Sequence, residues 1–274
     1  MNNIKFTILP HGYIENDKGW NVGMFNPGSI DNKQPSSEWI RVPSFSVLIK
    51  HSKAGWILYD TGSHPDDIDG RRPKNIRKMF PLYAKRNQFL DKQLKRLGLS
   101  PEDINHLIIS HMHWDHAGGL SFFSNTEAGQ NIYVSREDFA LGLVETHRSQ
   151  DNFGGGGYLK DNFEISGLDF QFIDTDQEFC SGIEIIKLGG HTPGILGLVI
   201  HLSEQTYIFT SDAVYLQENY GPPIKKPGIL YDSLGFEQSV KKIKRLERTY
   251  NAKVIFAHDY EQFNSLKTAP EFYK

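Results

Sequence analysis

Ser110-His111-Met112-His113-Trp114-Asp115-His116-Ala117-Gly118-Gly119 is the stretch from which the rest of the chain can be read. Four side chains able to bind a metal, His111, His113, Asp115 and His116, occupy six positions. They follow Leu107-Ile108-Ile109, an apolar run that reads as a short buried strand. The cluster therefore sits where a strand gives way to a loop. In an extended or tightly turned loop His111 and His113 face the same way, while Asp115 and His116 turn toward a neighbouring point. A single zinc site takes three or four protein ligands. This segment nearly fills one site and begins a second, so it suits a pair of ions better than one.

The bulk properties leave room for such a centre and exclude several alternatives. The chain has 274 residues, 38% hydrophobic and 23% charged, as expected of a globular protein with a sizeable core. Its formal net charge of −3 gives no electrostatic case for nucleic acid as a partner. No apolar run approaches the roughly 18 residues of a membrane span, and no membrane association is expected. The opening Met1-Asn2-Asn3-Ile4-Lys5-Phe6 does not read as a secretory signal. Cys180 is the single cysteine, so no internal disulfide forms, in keeping with a cytoplasmic location.

Strands are expected over residues 4–9, 45–50 and 56–59. Between the first two lies a Gly-, Pro-, Asn- and Ser-rich segment, read as an active-site loop over residues 11–44 that carries Trp20, Met24, Phe25 and Trp39. Asp60-Thr61-Gly62 ends the third strand in a turn. Residues 65–99 read as a basic helical insertion broken at Pro81, either over the active site or at a homodimer contact. Ser100-Pro101-Glu102-Asp103 looks like a helix start. A strand over 131–134 leads into a helix reaching His147, and Gly154 to Gly157 read as a mobile loop without the Lys and hydroxyl of a phosphate-binding loop. Strands follow over 170–173, 183–188, 198–202 and 207–210, then a helix over 235–250 and a last strand over 254–257. With no long linker and no short repeat, the chain reads as one domain spanning residues 1–274.

Three further strand ends carry metal-capable residues: Gly189-Gly190-His191 after Ile186-Lys187-Leu188, Ser211-Asp212 after Ile208-Phe209-Thr210, and His258-Asp259 after Ile255-Phe256-Ala257. Taken with H-x-H-x-D-H at 111–116, they resemble the metallo-β-lactamase superfamily over most of the chain. That resemblance implies an α/β (α+β) fold, an αββα sandwich of two packed mixed sheets flanked by helices. It also implies a centre for two Zn(II) ions per chain, with Fe, Mn or Co also compatible. His111, His113 and His191 would hold one ion, and Asp115, His116 and His258 the other. Asp212 would bridge them, with Asp60 accepting a hydrogen bond from a ligand histidine. His11, His51, His64, His106, His147 and His201 have no such context and read as structural.

A bridging hydroxide beside two cations is a nucleophile at neutral pH, suited to esters, lactones, thioesters and amides. Tyr215, three residues beyond Asp212, with Gln217-Glu218-Asn219-Tyr220 and Ala257-His258-Asp259-Tyr260-Glu261-Gln262, narrows the resemblance to the N-acyl-homoserine lactonases, the quorum-quenching branch. The implied substrate is a small-molecule lactone. Tyr215 would contact its carbonyl or ring oxygen, and Asp115 would relay a proton to the departing alkoxide. The chain departs from that family at Ile195-Leu196-Gly197, where relatives often carry a polar residue. The principal alternative is another ester or thioester hydrolase of the glyoxalase II type, which would want a basic patch for glutathione. A nuclease would want a basic surface. A β-lactamase would want export and commonly a Cys where Asp212 stands. A closed structural zinc site would use four donors rather than seven.

Overall fold

Period-two alternation of apolar residues sets the layers of this molecule. The computed structural model describes residues 3–148 and 157–274. A first sheet is built from β1 (Ile4–Asp17), β2 (Trp39–His51), β3 (Gly55–Tyr59), β4 (Leu82–Tyr83), β5 (His106–Ile108), β6 (Ile132–Ser135) and β7 (Phe170–Ile173). A second contains β8 (Gln177–Cys180), β9 (Ile183–Leu188), β10 (Ile195–His201), β11 (Thr206–Phe209) and β12 (Lys253–Ile255). The spatial orders are β4-β1-β2-β3-β5-β6-β7 and β12-β11-β10-β9-β8. Both sheets are mixed. In the first, β4, β1, β2 and β3 pair antiparallel and β3, β5, β6 and β7 parallel. In the second, only the β11–β12 pairing is parallel. The helices are α1 (Lys18–Asn21), α2 (Lys74–Met79), α3 (Leu90–Arg96), α4 (Trp114–Ala117), α5 (Arg136–Arg148), α6 (Gln217–Tyr220), α7 (Ser233–Tyr250) and α8 (Tyr260–Asn264).

The sheets face each other across a core of Val47, Ile49, Ile57 and Tyr59 from one and Ile185, Leu196, Leu198 and Ile200 from the other. The intervening residues turn outward. Leu48 and Leu58 pack with Leu90 and Leu94 of α3. Ile195 and Val199 pack with Phe236, Val240 and Ile243 of α7, which stand at helical spacing. Each such side chain contributes about 1.5–3 kcal/mol on burial, so a one-residue slip in a central strand would forfeit several contacts at once. Tyr59 also ties the layers together, its hydroxyl donating to the carbonyl of Leu196 at 2.7 Å. This αββα sandwich is the architecture expected.

Three local expectations need correction. Residues 11–44 are not one loop: β1 continues to Asp17, and β2 begins at Trp39. Gly12, which read as loop punctuation, belongs to a β-bulge, with the register shifting between Pro10 and Tyr13, while α1 takes Lys18–Asn21 and residues 22–38 remain without strand or helix. Gly12 sits there at φ +95°, and a Cβ would lie 2.4 Å from the carbonyl of Tyr83. The segment 65–99 is only partly helical. It contributes the edge strand β4, and α3 is a core helix, with Leu90 and Leu94 fully buried. Ser100 opens only a single 3-10 turn, Pro101–Asp103. Polar β8 was not anticipated, and the glycine run at 154–156 lies outside the described residues.

Candidate metal centre

Strand ends deliver the polar residues to one rim of the sandwich. β5 runs out into Ser110-His111, β9 into His191, β11 into Asp212 and β12 into His258. His113 caps α4, which carries Asp115 and His116 in its single turn. The potential ligand atoms of His111, His113 and His191 lie within 4.8 Å of one another, as do those of Asp115, His116 and His258. Asp212 stands between the two groups. Its Oδ2 is 3.4 Å from His191 Nε2 and 3.8 Å from His111 Nε2. Its Oδ1 is 3.1 Å from Nε2 of both His116 and His258. All seven residues singled out in the sequence thus converge, while none of the other histidines falls in these groups.

Outer partners aim the rings. The Asp60 carboxylate accepts from the Ser110 N–H (2.7 Å), the Ser110 hydroxyl (2.8 Å) and His116 Nδ1 (2.8 Å). His258 Nδ1 donates to the carbonyl of Pro43 at 2.9 Å. His191 Nδ1 meets the Tyr215 hydroxyl. With the proton held on the outer nitrogen, Nε2 of each ring presents a lone pair inward. Asp60 and Ser211 hold φ of +60° and +44°, a sparsely populated region for non-glycine residues. Ser211 donates to the Ser110 hydroxyl at 2.8 Å, linking these two strained corners through one serine.

His111 Nε2, His116 Nε2 and Asp212 Oδ1 are buried without a well-aligned hydrogen bond, His116 Nε2 and Asp212 Oδ1 facing each other only as an ion pair at 3.1 Å. An orphaned buried polar atom costs about 1–3 kcal/mol, and three pointing at one small volume fit a cation. The electrostatics agree. Burial drives His111, His113 and His191 well toward the neutral imidazole that a metal requires. For Asp212, burial is outweighed chiefly by His258 and His116, both pushed toward the charged form by the carboxylates around them, which hold its carboxyl well below the usual range. At His116 burial is overcome by Asp212, Asp115 and Asp60, whose field favours positive charge at that point. The donor set of neutral imidazoles and carboxylates fits a metal cofactor.

The cluster floors a cavity of about 250 Å³, walled by Ile14, Trp20, Val42, Phe80, Trp114 and Ile229. Tyr215 lines it from within the buried layer. Burial, with the charges of Asp212 and Asp115 adding to it, pushes the Tyr215 phenol well above its ordinary pKa, so it stays protonated. The buried Arg72 guanidinium lies 4.0 Å above the Trp114 ring and donates to the carbonyls of Asp67 and Phe80, bracing that wall.

Sequence reasoning missed Ser110, Ser211, Asp138 and the Pro43 carbonyl. Asp138, read only as part of a helix start, accepts from the Met112 N–H (2.7 Å) and the Tyr158 hydroxyl (2.6 Å), pinning the histidine loop.

The sequence model of the metallo-beta-lactamase superfamily matches residues 39–258. The chain belongs to the metallo-beta-lactamase superfamily. Within the superfamily it is similar to the N-acyl homoserine lactonase AiiB of Agrobacterium fabrum (strain C58 / ATCC 33970), 32% identical over 98% of this chain and 99% of that one. It is 27% identical to AiiA of Bacillus thuringiensis subsp. kurstaki over 91% of this chain and 94% of that one. Among solved structures, an N-acyl homoserine lactone hydrolase with its product N-hexanoyl-L-homoserine bound at the catalytic metal center superposes with a TM-score of 0.82 at 26% identity, covering 98% of both chains. No helix among the described residues is long and apolar enough to cross a membrane.

Proposed function

We propose that this superfamily member hydrolyses N-acyl homoserine lactones, opening the ring with the aid of two divalent cations, zinc by donor chemistry. The observation that supports this most directly is the pair of donor groups facing the two oxygens of Asp212 on the floor of an apolar cavity. In this reading His111, His113 and His191 would hold one ion and Asp115, His116 and His258 the other, with Asp212 available to both. Bound there, the ions supply acidified water and a polarised carbonyl.

The chain's own groups supply the rest. The neutral His191 ring, with Nε2 turned inward, places its proton on Nδ1 and donates to the Tyr215 oxygen. The Tyr215 O–H is then left to donate to the substrate's carbonyl or ring oxygen, its nearest protein acceptor being the Ile229 carbonyl at 3.4 Å. Asp115 lines the cavity and can pass a proton to the leaving alkoxide. The apolar wall takes the acyl arm, and residues 65–99 serve as part of that wall through Ile76, Met79 and Phe80. The named activities of AiiB and AiiA support the lactone as substrate. Among the described residues no Lys or Arg lines the cavity, which disfavours an anionic thioester of the glutathione type.

Metal-reconstituted protein assayed by release of acid from N-acyl homoserine lactones, with metal content measured on the same sample, tests the reading. Ring opening with two ions per chain is expected. A fully loaded sample holding one ion or none, or inert toward lactones, overturns it. Gel filtration of the same sample tests the homodimer.

A further inference from the structure

Inside the apolar cavity stand two buried amides, Asn16 near the end of β1 and Asn21 at the end of α1, each only 4% exposed. Asn21 Nδ2 donates to Asn16 Oδ1 at 2.6 Å. That contact uses one donor and one acceptor, leaving the Asn16 amide N–H groups and the Asn21 carbonyl oxygen. Neither makes another side-chain hydrogen bond among the described residues. Neither is among the buried atoms sealed off without a partner, and both residues line the cavity. Exchanging O and N on both side chains swaps which residue holds the free donor and which the free acceptor, and leaves one of each; in the structure Asn21 Nδ2 is the donor.

The pair is held from behind. Asn219, fully buried, donates from Nδ2 to the backbone carbonyl of Asn21 at 2.8 Å. The Trp20 carbonyl accepts from the Gly228 and Ile229 N–H groups at 3.0 and 2.9 Å. Asn16 is registered against Ile40 in the β1–β2 ladder. These side chains are thus fixed on rigid elements, with a donor and an acceptor side by side facing an otherwise greasy wall.

We propose that Asn16 and Asn21 form a specificity subsite that recognises the secondary amide of the substrate, Asn16 donating to its C=O and Asn21 accepting from its N–H. A secondary amide offers one acceptor and one donor, complementary to the pair. A plain alkyl lactone offers neither at that point and leaves both Asn groups facing hydrocarbon. The substrate class selected is therefore amide-bearing lactones over simple alkyl lactones. This deepens the lactonase reading and rests on it.

The test compares kcat/KM for an N-acyl homoserine lactone and for a γ-alkyl-γ-lactone of equal chain length, in the metal-loaded wild type, Asn16→Leu and Asn21→Leu. The wild-type preference for the amide substrate is expected to fall by about 10- to 100-fold in each variant. The same fall is expected in the ratio of calorimetric affinities for the two ring-opened products. Should the leucine variants fail to fold, Asn16→Ser and Asn21→Ser carry the same comparison. Ratios within twofold of wild type overturn this inference alone. A wild-type enzyme that opens neither lactone overturns the lactonase reading and this inference with it.

Discussion

His116 donates to Asp60, His258 to Pro43 and His191 to Tyr215, so the direction of each lone pair is set by an outer partner. Asp60→Asn should weaken metal affinity by about 10- to 100-fold, measured by competition with a chromogenic chelator. Tyr215→Phe keeps the ring and loses the donor. Ring-opening kcat is expected to drop about 100-fold with metal content unchanged, and a variant at full rate would end the donor role. His11 belongs to no metal group. It is buried against Ser46 and the Gln88 carbonyl, and burial lowers its pKa from 6.5 to about 4, against the raising effect of the Gln88 bond. A folded-state pKa below the unfolded one gives stability that is full above pH 6.5 and is lost as pH falls toward 4. At pH 5 the loss attributable to His11 is about 2 kcal/mol. Urea unfolding at pH 7 and pH 5 should show a drop smaller by that amount in His11→Gln. The histidines that converge on the candidate centre were legible because each follows an apolar run that had to be a strand. Ser110, Ser211 and Asp138 were not, since a serine or aspartate gains its role only from what the fold brings opposite it.

At the level of elements, the Gly118-Gly119 pair explains itself only in the fold. A Cβ on Gly118 would lie 2.5 Å from the His64 nitrogen, and one on Gly119 would lie 2.6 Å from the Thr61 carbonyl. The end of α4 is therefore pressed against the Asp60-Thr61-Gly62 turn, which itself receives the Ser110 and His116 bonds. Gly118→Ala should cost about 1–3 kcal/mol by thermal unfolding and also lower metal occupancy, because the turn and the ligand helix cannot both stay in place. A variant matching wild type in both measurements would show that the contact yields freely. Element identity was legible where a short apolar run stood between turn signals, as in β3 and the later part of β10, whose first residues 195–197 were not read as strand. It failed at the two ends of 11–44, where Gly12 marks a bulge as readily as a turn and β1 runs on to Asp17, and over 65–99 because a short edge strand and a short core helix share one basic stretch.

On the scale of the molecule, the proposed ligands come from both layers. His111, His113, Asp115 and His116 follow a strand of the first sheet, and His191, Asp212 and His258 follow strands of the second. Ions held there add stability to the whole sandwich, about 4 kcal/mol at a free concentration a thousandfold above Kd. Stripping the metal should lower the unfolding midpoint measurably by calorimetry, and an unchanged midpoint would argue against ions at this seam. The placement has a kinetic side as well. Donors drawn from opposing walls would release an ion only when several of them let go together, so departure would wait for the walls to spread. Extraction should accordingly plateau at a speed that extra chelator does not raise, and that ceiling would time how often this sandwich breathes open.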